Sequence, residues 1–128
     1  LSGIGLPVLH GAVAAVTGNS ATPLAAEEVV ARGLAGSDPC CRQTLGVFCA
    51  LLGSFAGNVA LTLGARGGVY IGGGIVPRLG ERFFASRFRE RFESKGRFRD
   101  YLAAIPTALV TDTLAALEGA ALAIEQSA

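Results

Sequence analysis

The sequence predicts an α/β fold, rich in helix and carrying a short parallel strand pair. Three observations lead there. Val69-Tyr70-Ile71 is a β-prone run that stops abruptly in Gly72-Gly73-Gly74. A second such run, centred on Leu109-Val110, lies within 105–111. Between them runs a helical stretch, and strand–helix–strand order argues parallel pairing. Two strands make a poor sheet, so the remaining strands are expected from outside these 128 residues.

Taken in order, residues 3–16 are small and apolar and read as a helix, broken at Thr17-Gly18-Asn19-Ser20. Thr22-Pro23 reads as an N-cap followed by a first-turn proline. Glu27 and Glu28 then suit the positive end of a helix running to about Ala35. Ser37-Asp38-Pro39 repeats the start signal, and a long helix follows to about Leu63. The strand at 68–72 comes next, and Pro77 suits a helical start after the glycines. Phe84, Phe88 and Phe92 recur every fourth residue and predict one face of a helix over 79–93. Lys95-Gly96-Arg97-Phe98 breaks it and opens a short turn to about Ala104. Asp112 or Thr113 caps a last helix, to about Gln126.

The segment from Gln43 to Ala65 holds 23 residues without a charge, long enough to cross a bilayer. It also contains a GxxxG match at Gly53 and Gly57. Against a span stand Gln43, Thr44, Ser54, Asn58 and Thr62, and no Trp or Tyr marks an interface. A helix buried on most sides of a globular domain is the preferred reading, so no membrane contact is expected.

Apolar residues make up 51% and charges 16%, a composition that excludes disorder. The net charge of +1 selects no partner. Residues 78–99 hold eight cations against three acids, a basic patch on an otherwise acidic chain. The phenylalanines among those arginines are spaced for a core, so nucleic acid is not expected here. Cys40, Cys41 and Cys49 are odd in number and lack CxxC spacing, and His10 is the single histidine. Reduced thiols and no metal-ligand set are expected. His10 reads as a packed or capping residue, and Asp38, Asp100 and Asp112 as caps. No Ser/His/Asp or paired-carboxylate constellation emerges, so no catalytic residue is expected. Leu1 stands where a complete chain would carry Met, which predicts a fragment or processed chain.

Gly72-Gly73-Gly74-Ile75-Val76-Pro77 is neither a dinucleotide fingerprint nor a P-loop. It has proline where the third glycine should be, and no Gly-Lys-Ser/Thr follows. A tight strand-to-helix turn explains it. So does a floor for a flat ligand, because side-chain-free backbone at a strand's carboxyl end permits close approach.

Leu1 to Leu6, Gly57-Asn58-Val59-Ala60-Leu61, Gly67 to Arg78 and Lys95 to Phe98 resemble, in order and spacing, the C-terminal half of bacterial glucokinases. Leu117 to Ala121 is similar to the family's last helix. The resemblance implies the C-terminal part of an actin-like, ribonuclease H-like ATPase domain. Residues 1–128 would be a partial large domain, without the small domain and the sugar site. It implies an ATP-dependent glucokinase as parent protein, cytoplasmic, with ATP, Mg²⁺ and glucose as ligands and homodimers as a common state. Gly72, Gly73 and Gly74 would be the adenosine-binding positions. The family's Asp-x-Gly-Gly-Thr phosphate hairpin, its Asn-Asp base and its Glu-x-x-His sugar pair have no counterpart here, so an inactive fragment is expected. The alternative is a non-enzymatic dimerisation or interaction domain derived from a sugar kinase, with or without a fused transcription regulator.

Overall fold

The computed structural model describes residues 1–20 and 22–128. Helix α1 (Gly5–Val16) and helix α2 (Ala26–Ala35) pack on a 25-residue helix, α3 (Pro39–Leu63). Strand β1 (Val69–Ile71) follows. Three short helices come next: α4 (Val76–Leu79), α5 (Glu81–Phe84) and α6 (Phe88–Glu93). A 3-10 turn (Gly96–Phe98) and helix α7 (Arg99–Ala103) lead into strand β2 (Thr107–Leu109) and helix α8 (Ala115–Ser127). The strands pair in parallel, Val69 with Thr107, Tyr70 with Ala108 and Ile71 with Leu109.

Helix α3 starts and stops as its sequence dictates. The Asp38 carboxylate accepts from the backbone N–H groups of Cys40 and Cys41, and Pro39 occupies the first turn, where its missing N–H costs nothing. Gly64 ends the helix in the left-handed conformation. Its core side carries Leu45, Phe48, Cys49, Ala56 and Ala60. Phe92, Leu102 and Ile105 complete the core from the other side. The Leu, Ile and Phe side chains among them each contribute about 1.5–3 kcal/mol when fully buried.

Among the described residues α3 is the one helix long and apolar enough to cross a membrane, and 44% of its most apolar window is buried within the fold. Its GxxxG pair is used internally. A Cβ at Gly53 would lie 2.1 Å from the Phe88 carbonyl oxygen, and one at Gly57 would lie 2.4 Å from that of Phe92. The two glycines let the α6 backbone lie directly on α3.

Several expectations need correction. Helix α2 begins at Ala26, not at Thr22-Pro23. Its N-cap, Ala25, is extended and gives no side-chain bond. Val29 at the fourth position belongs to the core and Leu24 before the cap packs against it, the pattern of a hydrophobic staple. Core contact therefore outweighs the capping chemistry of Thr22. The single helix over 79–93 is three pieces. Gly80 turns the chain at φ 52°, and the Ser86 hydroxyl donates to the Phe83 carbonyl oxygen while accepting from the Phe88 N–H. The break shifts the inward face by one residue, so Phe83 is buried with Phe88 and Phe92 while Phe84 is 65% exposed. Phe83 and Phe88 rings sit 4.8 Å apart. Asp100 lies inside the first turn of α7 rather than at its cap. Asp112 Oδ1 accepts from the Leu114 N–H at 2.8 Å, just ahead of α8.

Candidate nucleotide-binding edge

Because β1 and β2 are parallel, their carboxyl ends share one edge. Gly72, Gly73 and Gly74 leave β1 there, and Val110, Thr111 and Asp112 leave β2 beside them. The ladder continues past β2, with the Val110 N–H donating to the Ile71 carbonyl oxygen at 2.8 Å. A Cβ on Gly72 would just reach Val110, at 4.0 Å. All three glycines are exposed. Gly73 has φ 116°, a conformation side chains resist. Gly74 has no such backbone constraint, and a Cβ there would meet nothing within 4 Å. Packing within the chain therefore does not require glycine at 74. Open, side-chain-free backbone at the carboxyl end of parallel strands can receive a flat ligand.

The edge is held in place from behind. Arg89, on α6, donates to the carbonyl oxygens of Leu102, Ala103 and Ile105, and its Nε pairs with Glu93 at 2.7 Å. Its guanidinium also lies over the Phe92 ring. These carbonyls form the entry to β2, so one side chain ties the strand pair to the helical layer. The basic patch serves the fold elsewhere too. Arg82 donates to the Gly33 carbonyl oxygen, Lys95 to that of Ser54, and Arg87 pairs with Glu90. Sequence reasoning saw these cations and not their acceptors, which lie up to 49 positions away.

A second group of chemically capable side chains lies between α1 and the first turn of α3. His10 is buried, and its Nε2 is 3.6 Å from the Cys41 Sγ. Ligand atoms of His10, Asp38 and Cys41 lie within 4.8 Å of one another. Burial, a hydrogen bond to Asp38 and the negative charge of Asp38 push the Cys41 thiol up to about 11. The Cys41 backbone N–H holds Asp38 below the usual carboxylate range. His10 is buried as expected, but the fold sets it beside two further metal-ligating groups, where the sequence predicts no such set. No short spacing in the sequence links these neighbours; His10 and Cys41 are 31 residues apart.

A helix-rich layer on a parallel strand pair, with a glycine turn at the strands' carboxyl edge, makes this chain part of an actin-like ATPase fold. The crystal structure of a glucokinase from an Antarctic psychrotroph superposes with a TM-score of 0.88 at 43% identity, over 98% of this chain and 39% of that one. A family model described as Glucokinase matches residues 1–127. The chain belongs to the glucokinase family. The glucokinase of Chromobacterium violaceum is 61% identical over 121 residues, and that of Aromatoleum aromaticum 54% identical over 127. Those matches cover 94% and 99% of this chain but 35% and 38% of the relatives, so it spans little more than a third of their length.

Proposed function

We propose that these residues are the C-terminal portion of the large domain of an ATP-dependent glucokinase. That enzyme transfers the γ-phosphoryl group of ATP to glucose, giving glucose 6-phosphate and ADP. The observation that carries the assignment of this segment is the glycine turn at the shared strand edge, open at Gly74 and bare from Gly72 on. In this reading the backbone of Gly72, Gly73 and Gly74 forms the wall against which adenosine lies.

Phosphoryl transfer also needs a base, a Mg²⁺-bound triphosphate and a positioned acceptor. No residue of this chain is assigned to those tasks, and Mg²⁺ would sit with the triphosphate, beyond the wall. The segment alone is therefore inactive, and the sugar is chosen elsewhere in the protein. The setting is cytoplasmic. No nucleic-acid or membrane contact runs through this segment, in keeping with cations engaged on the protein's own oxygens and a long helix packed into a core. Homodimers form through the large domain, with Leu51 and Phe55 of α3 the outward apolar pair available.

A second reading, a non-enzymatic interaction domain, draws on α8, which buries no residue and exposes Leu117, Leu122 and Ile124. Two measurements separate the readings. With ATP, Mg²⁺ and glucose, the full-length protein forms glucose 6-phosphate and the 128-residue chain forms none. Turnover by the chain alone would refute the argument from the missing base. In the full-length protein, adenine nucleotide slows amide exchange across 67–78. Exchange there that ignores nucleotide would favour the interaction domain.

A further inference from the structure

His10, Asp38 and Cys41 bring three kinds of metal-ligating group to one point between α1 and the start of α3. We propose that this cluster is a Zn²⁺ site, formed by the His10 imidazole, the Cys41 thiolate and the Asp38 carboxylate, with its fourth position open to the adjoining cavity. It stands apart from the glycine edge and does not depend on the kinase reading.

Distance is the first argument. Zinc bonds of about 2.3 Å to sulfur and 2.0–2.1 Å to nitrogen, at a tetrahedral angle, separate the two atoms by about 3.6 Å. The Cys41 Sγ and His10 Nε2 are 3.6 Å apart. Charge is the second. One thiolate and one carboxylate cancel the two charges of the ion, and the imidazole is neutral. A charge-balanced set is what a buried ion requires, and here His10 is 3% exposed and Cys41 not at all. Ligand type is the third. Mixed sulfur, nitrogen and oxygen donors suit zinc, whereas Mg²⁺ and Ca²⁺ take oxygen.

Asp38 is already oriented for the task. Its Oδ1 accepts from the Cys40 and Cys41 N–H groups at 2.9 and 3.2 Å, which leaves the other oxygen for an ion. Beside the cluster lies a cavity of about 380 Å³, bordered by Asn19, Ser20 and Thr22, with room for a water or a small ligand on the fourth position. Arg32 also borders this space, but its guanidinium is paired with Glu28. Loading involves no redox change. The ion takes the place of the Cys41 thiol proton, which leaves to solvent, and so ties α1 to the first turn of α3.

The test uses the full-length protein that carries this chain, stripped of metal by a chelator and titrated with Co²⁺ and then Zn²⁺. The expected result is a Co²⁺ complex with tetrahedral visible bands and a thiolate-to-metal band, displaced by Zn²⁺, with close to one proton released per ion. Cys41→Ser abolishes the thiolate band, and Cys41→Ser and His10→Ala each weaken binding at least tenfold. Should either variant fail to fold, Asp38→Asn decides. Asparagine caps a helix as well as aspartate does, yet it lacks the anionic ligand, so binding falls at least tenfold while the circular dichroism of the metal-free protein is kept. No thiolate–cobalt band, or cobalt binding unchanged in Asp38→Asn, overturns the proposal. The cluster would then be a thiol–imidazole hydrogen bond and nothing more.

Discussion

Arg89 donates from Nη1 to the carbonyl oxygen of Ile105 at 2.7 Å, across 16 residues of sequence. The same guanidinium serves Leu102 and Ala103, so the last turn of α7 and the approach to β2 depend on one side chain. Replacing Arg89 with Met leaves those carbonyls without a charged donor. The expected loss is about 2–3 kcal/mol of stability, from hydrogen bonds to a charged group in a half-buried setting. Arg89→Lys recovers less than half of it, because an ammonium cannot span the carbonyls as a planar fork does. Urea midpoints decide the matter; a change within about 0.5 kcal/mol for Arg89→Met, the range of an ordinary surface substitution, would remove the anchoring role.

Two glycines of one helix should respond in opposite directions. At Gly53 an added Cβ would lie 2.1 Å from the backbone oxygen of Phe88, so α6 must retreat. Gly53→Ala is expected to destabilise by about 1–3 kcal/mol, the range for an overpacked contact. At Gly46 a Cβ meets nothing within 4 Å, and Gly46→Ala should stabilise α3 by up to about 1 kcal/mol through helix propensity alone. Thermal unfolding of the two variants checks this, and equal shifts would contradict the packing described.

The proposed adenosine wall is best tested at Gly74. Gly73, at φ 116°, would carry any side chain under strain, which confounds folding with binding. Gly74 has open space and no such strain. In the full-length enzyme Gly74→Val should weaken ATP binding about tenfold, a difference of about 1.4 kcal/mol. The KM for glucose and the melting temperature should stay as they were. ATP affinity that does not move would take Gly74 out of the site.

Cys49 is 2% exposed, and burial raises its pKa, with the nearby Ser86 hydroxyl a smaller opposing influence. At pH 8 a thiol-alkylating reagent should label the half-buried Cys40 and spare Cys49 until denaturant is added. The linkage has a definite sign. An unfolded thiol titrates near pH 8.5, about where folded Cys49 still holds its proton. The folded state then binds more protons, and stability falls as pH rises above roughly that value. In the metal-free protein Cys41, pushed up to about 11, contributes in the same direction. Cys49→Ala should flatten part of this slope. An unchanged slope, or labelling of Cys49 in the native protein, would contradict the burial assigned to it.

Much of this protein was legible in one dimension because the signals are local. Asp38-Pro39 starts α3 and Gly64 ends it because capping is settled within a few residues of backbone. Val69-Tyr70-Ile71 ending in glycine marked both β1 and its exposed edge for the same reason. The strand–helix–strand order was enough for parallel pairing. Tertiary structure decided the rest, wherever partners are distant in sequence. It placed the start of α2 at Ala26, between the core contacts of Leu24 and Val29, and turned Phe83 rather than Phe84 inward. It set the Gly53–Gly57 pair against α6. It also brought His10 to Asp38 and Cys41, and Arg89 to Ile105. Periodicity reports which face of an element is apolar. It does not report which backbone oxygen or thiol will lie opposite, because that follows only when the helices close on one another.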